Sequence, residues 1–181
     1  MISLKSKPAE KILNYYFLNS HARHYINELA RLLSLDPKNT DRKLKELEKE
    51  GVLRSEFLGK QRYYFLAKNS PIVNTYRHMA RHTIGLEQQL KKALRAVPGV
   101  QQAYLFGSYA KNAMDAGSDI DILAIGNHSL LPLQKAVNPV QKNSGREFNM
   151  VSMTNREFQE KKKTHNPFIV NVFSGKIIKL L

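Results

Sequence analysis

Hydrophobic side chains in the first third of the chain recur at helical spacing in three successive stretches. The predicted helices begin near Pro8, Tyr25 and Lys38, and they end near Asn19, Leu33 and Glu50. The third start is the clearest, because Asp36 supplies an N-cap and Pro37 the first helical residue. Two strands follow, joined by Gly59-Lys60 as a hairpin tip: Val52 to Leu58 and Gln61 to Leu66.

Residues 71–97 show a different period. Apolar side chains alternate four and three residues apart, with Thr83 in the gap: Ile72, Tyr76, Met79, Leu86, Leu90, Ala93 and Val97. This spacing is typical of a coiled-coil seam and predicts one helix, roughly 40 Å long, between Pro71 and Pro98. The seam can pair with its copy or pack within its own chain, and we expect a homodimer.

The last third alternates short apolar runs with helical stretches. Strands are predicted at Ala103 to Phe106, Ile120 to Ile125, Arg146 to Met153 and Ile177 to Leu181. Helices are predicted from Leu130 to Val140, with a break near Pro139, and from Asn155 to Lys163. The pattern predicts a mixed sheet flanked by helices.

Polar residues interrupt this apolar pattern at one point. Asp119 and Asp121 stand at the start of a predicted strand, where side chains at i and i+2 share one face, roughly 6–7 Å apart along the strand. Two carboxylates on one face repel each other unless a cation lies between them, and Mg²⁺ suits such oxygen ligands together with substrate phosphates. Gly107-Ser108 opens a short helix whose free N–H groups favour phosphate. The plainer alternative is an acidic strand end beside an ordinary Gly-Ser turn.

The same residues carry a family resemblance. Gly107-Ser108, Ala110-Lys111 and the run Ser118-Asp119-Ile120-Asp121-Ile122-Leu123 resemble the signature of minimal polymerase-β-type nucleotidyltransferases. The resemblance implies that Gly107 and Ser108 hold the triphosphate and that Asp119 and Asp121 bind Mg²⁺. Lys111 would offset the phosphate charge.

The resemblance also exposes a departure. The family's next strand supplies a third aspartate that helps to deprotonate the attacking hydroxyl, and Asn149 occupies that place here. An amide accepts no proton at neutral pH and ligates Mg²⁺ only weakly. Glu147, two residues earlier on the same face, is the one candidate to replace it.

Composition limits the choice of partners. The formal net charge is +14 and the pI about 10, which favours a polyanionic partner, although positive charge also serves solubility. The chain has no cysteine, so disulfides and thiolate metal sites are excluded and a reducing cytoplasm is expected. It contains no apolar run near the ~20 residues that span a bilayer and no signal-peptide core, so no membrane is expected.

Residues 8–68 resemble the winged helix-turn-helix domain of small bacterial and archaeal repressors, in which the second of two paired helices enters the major groove of double-stranded DNA. Candidate DNA-binding residues are basic or carry an amide: Lys38, Asn39, Arg42, Lys43 and Lys45 on the helix, and Lys60 and Arg62 on the hairpin. Lysines suit phosphates, whereas Asn39 and Arg42 suit base edges. The alternative is that these side chains form an ordinary solvated face.

We therefore predict an α+β protein with three parts: a winged helix-turn-helix domain (1–69), a linker and dimerisation helix (70–97), and a minimal nucleotidyltransferase domain (98–181). Two functions follow. In one, the protein is a DNA-binding transcriptional regulator whose second domain binds Mg²⁺–nucleoside triphosphate with little or no transfer. In the other, it is an active enzyme that moves a nucleotidyl group to a hydroxyl of a protein, an RNA or a small molecule. Minimal members of the family often act as antitoxins, which implies a toxin-like protein partner.

Overall fold

The computed structural model describes residues 6–181, and the chain divides into two units. The N-terminal unit contains residues up to 88 together with 142–145, and the C-terminal unit contains 89–141 and 146–181. The predicted linker, 70–97, is thus divided between the two units.

The N-terminal unit contains four helices and three strands among its described residues. In chain order they are α1 (Lys7–Leu18), β1 (Arg23–Tyr25), α2 (Ile26–Leu32), α3 (Pro37–Lys49), β2 (Leu53–Leu58), β3 (Gln61–Leu66) and α4 (Pro71–Thr83). The predicted helices and hairpin are present to within a few residues. Strand β1 was not predicted, and it adds to the hairpin in an antiparallel sheet of order β1-β3-β2.

Apolar residues from α1, α2, α3 and the hairpin form one core. Ile12, Leu13, Leu29, Leu44 and Leu47 are fully buried there, as the helical spacing of the sequence requires. The core also buries Tyr16, whose hydroxyl donates to the carbonyl oxygen of Tyr64 at 2.9 Å. The start of α3 is fixed as predicted, because the Asp36 carboxylate accepts from the backbone N–H of Asn39 at 2.9 Å.

The prediction of a single long helix over residues 71–97 is wrong. Helix α4 ends at Thr83, and a separate helix, α5 (Leu86–Arg95), begins after Gly85. The carbonyl oxygen of Ala80 accepts from the N–H groups of both Ile84 and Gly85, which closes α4 and turns the chain. A Cβ atom on Gly85 would lie 2.9 Å from that oxygen, so only glycine fits this turn without a shift.

The C-terminal unit is a mixed sheet flanked by helices, as predicted. After α5 come β4 (Val100–Phe106), α6 (Gly107–Lys111), β5 (Ile120–Gly126), α7 (Leu130–Ser144), β6 (Phe148–Met153), α8 (Asn155–Lys163), α9 (Pro167–Ser174) and β7 (Ile178–Lys179). The sheet order is β6-β5-β4-β7. Strand β5 pairs antiparallel with β4 and parallel with β6, so β6 is an edge strand.

Two local predictions in this unit are corrected. Helix α7 continues through Pro139 to Ser144, because Leu133, Val137 and Val140 are buried at helical spacing on both sides of the exposed proline. The final strand is limited to Ile178–Lys179, and helix α9 was not predicted.

Candidate functional site

The carboxylate of Asp121 occupies the centre of the polar end of the sheet. In the strand register Asp121 is opposite Phe106 of β4 on one side and Asn149 of β6 on the other. Gly107 directly follows Phe106 and has φ +69°, and a Cβ atom at this position would collide with Asp121 Oδ2. Glycine is therefore required both for the backbone conformation and for the close approach of the carboxylate.

Asn149 is the direct neighbour of this carboxylate. Its Nδ2 donates to Asp121 Oδ1 at 3.1 Å. Burial raises the pKa of Asp121 above its ordinary value, the Asn149 hydrogen bond opposes this, and the negative charge of Asp119 raises that pKa further. Asp119 itself is exposed, immediately before β5. The two carboxylates therefore interact electrostatically.

The carboxylate oxygens of this site fit a Mg²⁺ ion whose remaining ligands come from a nucleotide. Within residues 6–181 no group of three or more His, Cys, Asp and Glu side chains is arranged to hold a metal, so the protein alone offers an incomplete shell. Mg²⁺ is often bound by one or two carboxylates plus substrate phosphates and water. Asp119 and Asp121 supply two such carboxylates. The close packing of Gly107 on Asp121 leaves the Gly-Ser segment beside these oxygens.

The remaining predicted nucleotide contacts belong to α6. This helix has only five residues, and Asn112, which has φ 58°, caps its C-terminal end. Ser108 is half-buried in its first turn and Lys111 is exposed in its last turn. The Cε atom of Lys111 is 3.9 Å from the position that a Cβ atom on Gly175 would take, so its aliphatic stem lies beside the turn after α9.

Glu147, the predicted substitute base, has a different environment from Asn149. It precedes β6 and is exposed, and its Oε2 accepts from Gln141 Nε2 on α7 at 3.0 Å. Its backbone carbonyl accepts from the N–H of Ile120 at 2.9 Å. No hydrogen bond joins its carboxylate to Asp121 among the described residues, whereas Asn149 forms one.

A buried arginine next to the site was missed by the sequence analysis. Arg146 is 8 % exposed, and its Nη1 donates to the carbonyl oxygens of Ala116 at 2.8 Å and Ser118 at 3.1 Å. Ser118 Oγ in turn donates to Asp115 Oδ1 at 2.7 Å, and the hydrogen bonds at Asp115 lower its pKa. These contacts fix the loop that leads to Asp119. Asp, Gly and Ser within residues 115–118 were the available turn signal.

The predicted DNA-binding residues fall into two groups in the structure. Lys38, Asn39 and Arg42 are exposed on the first half of α3, and Arg42 Nη2 is 3.4 Å from Asn39 Oδ1. Lys60 is exposed at the tip of the β2–β3 hairpin, beside Phe57 and Leu58, whose exposed fractions are 70 % and 56 %.

Lys43, Lys45 and Arg62 form the second group, since each is paired with a carboxylate of the same unit. Lys45 Nζ is 2.8 Å from Asp41 Oδ2, and this hydrogen bond raises the pKa of the lysine. Arg62 donates to Glu48 Oε2 at 2.7 Å and to Ser55 Oγ at 2.8 Å, and Lys43 pairs with Glu46. Their charges are thus partly compensated before any partner binds.

Comparison with known proteins gives one family match and a few distant structural likenesses. The family model described as "Nucleotidyltransferase domain" matches residues 86–179. No curated protein matches the chain. Among solved structures, reduced HlyU from Vibrio cholerae has 16 % identity and a TM-score of 0.35, covering 44 % of this chain and 78 % of its own.

Two solved toxin–antitoxin structures are similarly distant. A toxin–antitoxin with AMP-PNP has 21 % identity, and a mutant of the toxin–antitoxin MntA–HpeT has 19 %. Each has a TM-score of 0.34 and covers 49 % of this chain and 84 % of its own, and scores this low carry no functional argument. Among the described residues no helix is both long and apolar enough to cross a membrane. The family model covers more than half of the 181 residues and includes both the Gly-Ser and the Asp-x-Asp elements, so the chain belongs to the nucleotidyltransferase domain family.

Proposed function

We propose that the C-terminal unit binds a nucleoside triphosphate together with Mg²⁺. The observation that carries this proposal is the packing of Gly107 against the Asp121 carboxylate, which supports a phosphate site on the Gly107-Ser108 backbone beside a metal site on Asp121. Asp119 and Asp121 would hold the metal, Gly107 and Ser108 the phosphates, and Lys111 would reduce their negative charge. Bound Mg²⁺ would supply charge stabilisation for in-line displacement at the phosphorus.

We further propose that transfer is slow, since the residue beside Asp121 is an amide. A general base must accept the proton of the attacking hydroxyl, and this help is worth about 10²–10⁴-fold in rate. Asn149 accepts none, and its Nδ2 already donates to Asp121. The regulator with a nucleotide-binding, poorly active domain is thus the reading we prefer.

The active enzyme remains the second candidate, and Glu147 is the residue on which it depends. Glu147 is exposed and lies two residues before Asn149, with its carboxylate held by Gln141. In an active protein this carboxylate would leave Gln141 and accept the proton of a hydroxyl on a protein, an RNA or a small molecule. Fast transfer that Glu147→Gln abolishes would establish this candidate.

The direct test of nucleotide binding is the double variant Asp119→Asn with Asp121→Asn. Both changes remove charge without changing size, so folding should survive while Mg²⁺-dependent binding of ATP, measured by calorimetry, is lost. Glu160→Gln is the control, because it removes an exposed carboxylate from α8 of the same unit, outside the site. ATP binding that is equally strong in EDTA, or unchanged in the double variant, contradicts the proposal.

For the N-terminal unit we propose binding to double-stranded DNA in the manner of a winged helix-turn-helix domain. Its support is the order of three helices and a hairpin, together with the exposed Lys38, Asn39 and Arg42 on α3 and Lys60 at the hairpin tip. Lys43, Lys45 and Arg62 have intramolecular partners, so we assign them to local order around this surface and expect smaller contributions to affinity. Each phosphate contact should add nearly one unit to the slope of log K against log salt.

The proposal extends to domain limits and partners. We retain residues 1–69 as the DNA-binding domain and 98–181 as the nucleotidyltransferase domain. A homodimer and a toxin-like protein partner also remain predictions. Little of the predicted seam is open to a second copy, because Leu86 and Leu90 are buried within the chain. Ile72 and Met79 on α4 are 36 % and 41 % exposed and would have to form the contact. If α4 mediates dimerisation, Met79→Lys should halve the mass seen by light scattering, and a wild-type monomer at micromolar concentration excludes it.

A further inference from the structure

A cavity of about 310 Å³ opens in the N-terminal unit at the end of the sheet away from the hairpin tip. Nine residues line it, and they come from the strands β1, β2 and β3 and from the segments that precede β1 and follow β3. Its basic members are Arg23, Arg54, Lys68 and His21, and none of the nine is acidic. A volume of this size is at the lower end of the range for small-molecule sites.

The strand register sets the arginines of this cavity on one face of the sheet. Phe65 of β3 is opposite Arg23 of β1 on one side and Arg54 of β2 on the other, so the three side chains form a row. Arg23 is held in place twice: its guanidinium carbon is 4.7 Å from the Phe65 ring centroid, and it forms an ion pair with Glu56. An arginine ordered in this way loses little conformational entropy when it binds an anion.

The other two cations differ in how far they are already engaged. Lys68 Nζ donates to a ring nitrogen of His21 at 2.8 Å, which keeps the ammonium at the rim of the cavity. Arg54 is exposed, and in the described part of the chain its side chain forms no hydrogen bond or ion pair. Arg54 and Lys68 thus carry two positive charges that no carboxylate of the lining compensates.

From these contacts we infer that the cavity is a binding site for a small organic phosphate of up to about the size of a mononucleotide. Arg54 and Lys68 receive the phosphate, since guanidinium and ammonium groups form strong charge-assisted hydrogen bonds with it. The ordered Arg23 contributes less, because Glu56 already compensates part of its charge. Phe65, with Leu66 and Ala67 beside it, offers apolar contact to the organic part. The space exceeds what a bare anion fills, which selects a phosphorylated molecule over inorganic phosphate.

This site is distinct from both surfaces of the proposed function. It lies in the N-terminal unit, whereas Asp119 and Asp121 lie in the C-terminal unit. Arg54 is four residues from Leu58 at the hairpin tip, or about 13 Å along the strand. A ligand bound here joins β1, β2 and the segment that leads into α4, so it would act on the order of the N-terminal unit.

The test is a calorimetric titration of the full chain with adenosine 5′-monophosphate and, separately, with ribose 5-phosphate. EDTA is present, and the chain carries Asp119→Asn with Asp121→Asn, so that Mg²⁺-dependent binding at the other site is removed. We expect dissociation constants of about 1 mM or tighter, and a loss of about tenfold or more in Arg54→Glu or Lys68→Glu. Lys49→Glu, an exposed charge reversal on α3 outside the cavity, should change affinity less than about twofold.

Several results overturn the inference. One is the absence of binding by either compound at several times the expected constant, and another is equal weakening by Lys49→Glu and Arg54→Glu, which would indicate only a general charge effect. Binding that disappears on introducing the Asp119 and Asp121 changes would assign the ligand to the C-terminal unit. If Arg54→Glu weakens only duplex DNA, the cavity contacts a nucleic-acid backbone and the small-ligand site is refuted. Arg54 is exposed, so circular dichroism should show that its variant folds.

Discussion

Replacing Asn149 with aspartate tests the geometry of the candidate nucleotide site without requiring an acceptor. The substitution removes the donor that now contacts Asp121 Oδ1 at 3.1 Å and puts a carboxylate in its place. Coulomb's law for unit charges at that distance gives about 5 kcal/mol of repulsion at an effective dielectric constant of about 20, and about 1 kcal/mol in water. Because Asn149 is exposed, we expect Asn149→Asp to lower the free energy of unfolding by about 1–3 kcal/mol in EDTA at pH 8.

The sign of the pH dependence follows from the same repulsion. Two adjacent carboxylates raise each other's pKa in the folded state above the unfolded value of about 3.9, so the penalty is present above the raised pKa. It is relieved as the pH falls through that value and disappears near the unfolded pKa. Mg²⁺ should remove this penalty at pH 8, since a cation between the carboxylates offsets their repulsion and the new aspartate becomes a third ligand.

The assay is urea denaturation of wild type and variant, followed by circular dichroism, in EDTA and in Mg²⁺. Asn171→Asp is the matched control, because Asn171 is exposed on α9 and the same charge is added there. A variant as stable as wild type in EDTA, with no extra stabilisation by Mg²⁺, refutes the proximity of Asn149 and Asp121. A separate assay in Mg²⁺ without urea, with labelled ATP and an added acceptor, reports whether the amide disables transfer.

Three further outcomes are expected. Gly107→Ala should destabilise the fold by about 1–2 kcal/mol, because position 107 has a positive φ. It should also abolish Mg²⁺–ATP binding in calorimetry, because the added methyl group displaces the Asp121 carboxylate. Retained binding would contradict this geometry. As the pH falls, the affinity for Mg²⁺–ATP should begin to decline at a higher pH than for an ordinary aspartate pair, since burial raises the pKa of Asp121 and the metal requires its ionised form. A pH-independent affinity between about pH 4 and 7 would exclude Asp121 as a metal ligand. Arg42→Ala should reduce duplex affinity by about 1–3 kcal/mol and relax one base position in gel-shift assays, whereas Lys45→Ala should cost less; equal losses would show that the Asp41 pair does not restrain Lys45.

Much of the fold followed from local signals. Asp36-Pro37 specified the start of α3, and Gly59-Lys60 specified the hairpin, because caps and tight turns depend on residues next to each other in sequence. The prediction failed at a local turn that the apolar spacing does not mark. Gly85 ends α4 through contact with the Ala80 carbonyl, yet the apolar spacing continues across it and indicated one helix.

The site was predictable in its main residues but not in its support. Phe106, Asp121 and Asn149 lie opposite one another in the sheet, and the alignment with the family pattern had assigned Asn149 to the third position. Arg146 could not be found in this way, since a lone arginine at the start of a predicted strand has no pattern of its own. Its role in fixing residues 116–118 appears only when the carbonyl groups it contacts are known.

The position of Asn149 on an edge strand has an evolutionary consequence. Strand β6 has one neighbour in the sheet, and the Asn149 side chain is exposed, so a change there disturbs little of the core. Asparagine and aspartate codons differ by one base. On the proposed function, a single base change at this codon would therefore convert a poorly active domain into one with a third carboxylate, at a folding cost that bound Mg²⁺ would offset.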